Sequence, residues 1–323
     1  MNGHRVTAIG GGTGLANLLD GLRMRTENIT AIVSVADDGG SSGILRDEFG
    51  MLPPGDFRSC LVALSDADPL IKDLFKYRFV TESSLAGHSL GNLLIAALST
   101  LSGGFENAID VSSQLLNIKG KVLPASLENI VLMAEMMDEK IVSGESNITS
   151  HESVIKKVFI GEPDVEAYPP AEDAIRQAEL IIVGPGSLYT SVIPNFLIRG
   201  IRDAIQEASA PCVYVCNVAT QVGETDGFNA GDHVRTLLEH VGDGVIDYVV
   251  VNDNIKNRLA NELDFRPVSP DGLPINGVVA LYKDVVNTAS PVLHDSRKLC
   301  EVLLNALEKG TLTKNPIADR GVS

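Results

Sequence analysis

At 323 residues the chain is long enough for one large α/β domain or two small ones, and 44% hydrophobic with 21% charged residues is ordinary for a soluble globule. A net charge of −16 argues against a DNA or RNA partner, whose binding draws on many Lys and Arg side chains; a single nucleotide remains acceptable. There is no apolar run of about twenty residues to span a bilayer and no signal-peptide pattern before the first strand, so a cytoplasmic location is expected.

A short apolar strand at residues 6–9 runs into Gly10, Gly11, Gly12, Thr13 and Gly14. A helix follows, because Leu15, Leu18, Leu19 and Leu22 recur at the i, i+3, i+4, i+7 spacing of one apolar face. Glycines let backbone amides approach an anion, and the unpaired N–H groups of a helix start attract phosphate, so this joint reads as a phosphate seat. Neither G-x-G-x-x-G nor G-K-[ST] is met, which separates it from the two common nucleotide loops. A second strand at residues 29–35 opens into Asp37, Asp38, Gly39, Gly40, Ser41 and Ser42, a stretch rich in amides, hydroxyls and carboxylates. Such hard oxygens beside a phosphate suit Mg²⁺, so Asp37, Asp38 and, after Pro53-Pro54-Gly55, Asp56 are candidate metal ligands. Asp56 also reads as the N-cap of a helix over residues 57–64, and Arg58 offers a guanidinium fork for phosphate.

Further along, Gly87-His88-Ser89-Leu90-Gly91 fits G-x-S-x-G, but the polar residues before it lack the buried strand that a nucleophile elbow requires. His88, Ser89 and Asn92 instead open a helix over 90–98 as an anion or sugar contact. Residues 120–165 change character, with strands at 130–133, 140–142 and 154–160, and read as a β-rich insertion. Alternation resumes with helix 171–178, strand 180–183, the loop Gly184, Pro185, Gly186, Ser187, helix 198–208, strand 212–216, helix 232–241 and strand 247–251. Asn217, Thr220 and Gln221 follow the strand at 212–216. The alternation predicts an α/β fold: a three-layer, Rossmann-like, mainly parallel sheet with the polar loops converging at the strand ends. A single nucleotide-binding domain is expected over 1–312, with a flexible tail at 313–323. The cysteines Cys60, Cys212, Cys216 and Cys300 form no C-x-x-C pair and read as core thiols.

These motifs in this order, Gly-Gly-Gly-Thr-Gly-Leu, Val-Ala-Asp-Asp-Gly-Gly-Ser-Ser-Gly, Pro-Pro-Gly-Asp-Phe-Arg, Gly-His-Ser-Leu-Gly-Asn and Gly-Pro-Gly-Ser-Leu-Tyr-Thr-Ser, resemble the CofD-like family. The resemblance runs to about residue 250 and weakens after it. It implies nucleotide contacts at residues 12–14 and 184–187, and acids near the transferred phosphate at Asp37, Asp38 and Asp56. One branch of the family transfers a phospholactyl group from a nucleoside diphosphate donor to a deazaflavin, with Mg²⁺. The branch closer to this chain is linked to growth on gluconeogenic carbon sources and to cell shape and wall synthesis. It is associated with UDP-sugars such as UDP-N-acetylglucosamine. The expectation is therefore a UDP-sugar-binding regulatory factor, able to form a homodimer, with Mg²⁺ as its one suggested cofactor. The alternative is a Mg²⁺-dependent phospholactate-type transferase, and a third reading is a dinucleotide oxidoreductase using Asp37 on the ribose. The chain has no Trp to build a platform for an acceptor ring.

Overall fold

The computed structural model describes residues 3–80, 82–162, 164–255, 265–275 and 277–316. The first unit is strand β1 (Val6–Gly10), helix α1 (Gly12–Leu22) and strand β2 (Ile29–Val33). Leu15, Leu18, Leu19 and Leu22 of α1 are all fully buried, as their spacing requires, and each such side chain contributes about 1.5–3 kcal/mol of burial. Helices α2 (Gly40–Phe49), α3 (Pro54–Leu64), α4 (Pro69–Lys76), α5 (Leu90–Ser102) and α6 (Phe105–Leu115) follow, then strand β3 (Lys121–Pro124). Strands β4 (Leu132–Met136), β5 (Ile141–Ser143) and β6 (Ile155–Ile160) come next, with α7 (Glu145–Ser150) between the last two. The second half holds α8 (Pro169–Arg176), β7 (Leu180–Val183), α9 (Ile193–Leu197), α10 (Ile201–Glu207), β8 (Cys212–Val215), α11 (Ala230–Val241), β9 (Tyr248–Asn252), β10 (Val279–Lys283) and α12 (Ser296–Glu308).

Among the described residues, seven strands form one parallel sheet in the order β10-β9-β8-β7-β1-β2-β3, flanked by helices. Every residue of β1, β7, β8 and β9 is buried, the near-continuous apolar signature of strands covered on both faces. A small antiparallel sheet, β5-β4-β6, occupies part of the segment read as an insertion. β3, which also falls in that segment, belongs instead to the main sheet, where it pairs with β2. All four cysteines are free and buried, as core thiols should be.

The C-terminal residues begin tied down rather than loose. Asn315 N donates to Asp247 Oδ1 at 2.8 Å, Thr313 N to the Tyr248 hydroxyl at 3.0 Å, and Lys314 Nζ lies 3.3 Å from the buried Asp247 carboxylate. The rest of the expected tail, 317–323, lies outside the described residues. No helix among the described residues is long and apolar enough to cross a membrane.

Candidate functional site

Strands β1 and β7 are neighbours, with Ile9 opposite Val183, yet the chain leaves them in opposite directions across the sheet. In an open parallel sheet such a reversal leaves a crevice outside the carboxyl ends of the two strands. A cavity of about 370 Å³ lies there, lined by Gly12, Thr13 and Gly14 after β1, Pro185, Gly186 and Ser187 after β7, and Asn217, Thr220 and Gln221 after β8. Three loops singled out in the sequence therefore meet at one place. Larger clefts of about 590 and 690 Å³ open beside Arg5 and Asn28, at the amino ends of the strands, away from this crevice.

The glycines of the first loop have separate causes. Gly12 has φ +66°, a left-handed conformation that L side chains rarely adopt. A Cβ on Gly14 would stand 2.4 Å from the carbonyl oxygen of Pro185, so the loops after β1 and β7 touch only because that atom is missing.

The first amide of α1 already holds an anion. Asp56 Oδ2 accepts from Gly12 N at 2.6 Å, so the carboxylate sits where a phosphate oxygen is expected at a helix start. This corrects its reading as an N-cap of its own helix: Pro53 caps α3, and Asp56 serves α1 instead. Burial and then the charge of Asp37 push the Asp56 carboxyl up to about 6, against an ordinary 3.8, and the Gly12 amide only partly offsets them. Asp37 is also raised, chiefly by burial, although its Oδ1 accepts from Gly39 N at 2.9 Å. Glu145, which starts α7 in the inserted segment and lines the cavity, is pushed well above the carboxylate range by burial and then by Asp37, Asp56 and Glu224.

Asp38 does not join this group. Its Oδ1 accepts from Ser146 N and Ser146 Oγ, both at 2.9 Å, so it anchors the start of α7. Of the three acids read as candidate Mg²⁺ ligands, Asp37 and Asp56 lie close enough for their charges to interact, whereas Asp38 is engaged by Ser146. Among the described residues no group of three or more His, Cys, Asp or Glu side chains is placed to hold a metal ion.

On the opposite wall, Glu224 organises the loop after β7. Its carboxylate accepts from Ser187 Oγ at 2.8 Å, Tyr189 N at 3.3 Å and Thr190 Oγ1 at 3.3 Å. Gln221 Nε2 donates to Ser187 Oγ at 2.6 Å, and Asn217 Nδ2 to Gln221 Oε1 at 3.1 Å. Thr220 is held by Arg266, whose backbone N–H donates to its hydroxyl at 3.2 Å.

The remaining expected contacts lie outside the cavity wall. Gly39 caps α2 and Gly40 begins it, so the Gly-Gly-Ser-Ser stretch is a helix start rather than an open loop. Ser41 is 3.0 Å from His88 Nδ1 and accepts from Asn92 Nδ2 at 3.1 Å, which ties α2 to the start of α5. Ser42 Oγ accepts from Gly55 N at 3.1 Å. Ser89 is the N-cap of α5, accepting from Asn92 N, which agrees with setting the esterase motif aside. Arg58 lines a different cavity, between α1, α3 and α4. Sequence reasoning did not assign Asn17, Glu145, Ser191 or His294 to the site, yet all four line the cleft. His294 is buried, its Nε2 3.1 Å from Cys216 O, and burial lowers it to about 4. Glu224 stood in the Gly223-Glu224-Thr225-Asp226-Gly227 run, but only the fold reveals its partners.

Comparison with known proteins accords with this architecture. Residues 6–289 match the family described as 2-phospho-L-lactate transferase CofD, a reach beyond the residue-250 limit of the motif resemblance. The gluconeogenesis factor of Bacillus subtilis is 46% identical over 94% of this chain and 98% of its own length. That of Listeria monocytogenes is 43% identical over 96% and 98%. A crystal structure of a UPF0052 family member from Bacillus halodurans superposes with a TM-score of 0.89 at 44% identity, covering 94% of this chain and 99% of that one. With the matched residues spanning both strands of the switch point and the loops that follow them, the chain belongs to the CofD family.

Proposed function

We propose that the protein is a cytoplasmic UDP-sugar-binding regulatory factor that supports growth on gluconeogenic carbon sources and the maintenance of cell shape and cell wall, with UDP-N-acetylglucosamine as its representative ligand. The observation that carries the binding half is the cleft at the β1/β7 switch point, where two Gly-rich loops and the carboxamides of Asn217 and Gln221 line one cavity. Gly12 N is taken by Asp56, but the next amides of the first turn of α1, those of Thr13 and Gly14, have no partner within the helix and suit the diphosphate. Asn217 and Gln221 suit sugar hydroxyls, and Phe265, Val292 and Leu293 give the cavity an apolar side for the base or the ring. The volume falls within the roughly 300–1,000 Å³ of small-molecule sites. The relatives named gluconeogenesis factor support the gluconeogenic part of the cellular role.

One observation favours the transferase alternative: Asp56, on the Gly12 amide, and Asp37, whose charge acts on it, are two carboxyls with raised proton affinity that could hold a proton near a reacting phosphate. A transferase also needs an apolar compartment for its acceptor, and Phe265 is the single Phe, Tyr or Trp among the described cavity residues. Calorimetric titration with UDP-N-acetylglucosamine, GDP and NAD, followed by assay for free UMP and UDP, separates the readings. The expected result is saturable binding of the UDP-sugar, tighter than GDP or NAD, with no turnover. Sustained release of UMP or UDP, abolished by Asp37→Asn, would overturn it in favour of the enzyme, and preferred binding of NAD would favour the oxidoreductase.

A further inference from the structure

Arg58, read from the sequence as a phosphate contact, lines a cavity other than the switch-point cleft. A cavity of about 430 Å³ opens between α1, α3 and α4, lined by four cationic side chains, Arg23, Arg58, Lys72 and Lys76, against two acids, Asp20 and Asp73. On a chain with net charge −16 this is a local excess of positive charge.

The cations are underused. Lys72 and Lys76 make no ion pair among the described residues. Arg58 Nε is buried without a hydrogen-bond partner, and its terminal nitrogens reach only Phe75 O at 3.4 Å and Ser59 Oγ at 3.3 Å, near the long limit for such bonds. The guanidinium is thus held by few and long bonds, leaving its charge under-committed. Burial and the like charge of Arg78 disfavour the Arg58 cation, Asp56 only partly offsets them, and an anion beside it would offset them further. Arg23 is partly committed, to Asp20 at 3.1 Å and Ser65 O at 3.2 Å. The small side chains of Ala16 and Ala63, with Val62, leave room for a modest apolar body.

We propose that this cavity is a second ligand site, for a small phosphate ester, in which Lys72 and Lys76 supply point charges and Arg58 the guanidinium. A compact charge with several acceptor oxygens matches the two ammonium groups and the weakly held guanidinium, and a short carbon chain matches the apolar floor. The site stands apart from the nucleotide cleft, with which it shares no lining residue, and does not depend on what that cleft binds.

The test uses glycerol 3-phosphate as the probe in calorimetry at low ionic strength, with glycerol as the uncharged control. The full chain should bind the ester saturably and glycerol not at all. Lys72→Gln/Lys76→Gln, which removes two partly or fully exposed charges, should keep its circular dichroism and weaken the ester by about tenfold or more. Lys156→Gln/Lys283→Gln, with the same charge change elsewhere on the surface, should bind as the parent does. Absence of binding by the parent, equal affinity in the cavity variant, or an equal loss in the control variant would each overturn the proposal.

Discussion

Asp56→Asn should stabilise the protein at pH 7.5 by about 2 kcal/mol and flatten its stability profile between pH 4 and 6. The folded-state carboxyl is raised to about 6 from an ordinary 3.8, so across that window the folded chain binds more protons than the unfolded one. Stability from this group therefore falls as pH rises from about 4 to 6, and above 6 the ionised carboxylate remains a constant penalty of about 3 kcal/mol. Asn keeps an acceptor for the Gly12 N–H, now 2.6 Å from Asp56 Oδ2, and removes the charge that burial and Asp37 oppose. Part of the gain is lost to the new amide's own buried donors. Urea unfolding at pH 5, 6 and 7.5 gives the comparison; a variant less stable than the parent at pH 7.5 would show that the Asp56 charge is compensated. A residue that lowers stability at the head of α1 is a mark of a site kept for use.

Gly14→Val should abolish the cleft while leaving the sheet intact. The new Cβ would fall 2.4 Å from Pro185 O, 2.8 Å from Pro185 C and 3.1 Å from Gly186 N, all backbone atoms that cannot rotate away. Overpacking of this kind costs about 1–3 kcal/mol and pushes the loops after β1 and β7 apart. Affinity for a UDP-sugar should drop roughly 100-fold, about 2.7 kcal/mol, with the circular dichroism of the parent retained. Parental affinity in a folded Gly14→Val protein would remove the β1 loop from the site.

The strand, Gly-rich turn and helix of residues 6–22 were legible because three signals agree: an apolar run, a glycine cluster and a leucine stripe at helical spacing, all four leucines fully buried. The loop after β7 was legible for the same reason. What local pattern could not show is where polar side chains spend their hydrogen bonds. Ser41 and Ser42 look like ligand hydroxyls, yet they brace α2 against the start of α5 and against Gly55, partners 47–51 and 13 residues away. Asp56 looks like a local cap and reaches back 44 residues to Gly12. Glu145 carries no motif at all; the pairing of β4 with β5 and β6 brings its helix to the cleft. Helix α4 was not singled out in the sequence although Asp68-Pro69 and the spacing of Leu70, Ile71, Leu74 and Phe75 mark one; of these apolar residues only Phe75 is buried.

The most direct test of the central claim is amide hydrogen exchange with and without saturating UDP-N-acetylglucosamine. If the nucleotide sugar sits at the β1/β7 switch point, peptides covering residues 12–14, 186–187 and 217–221 should gain protection together, because those loops line the one cavity. Bound ligand with unchanged exchange in all three segments, and protection elsewhere, would contradict the assignment of this cleft.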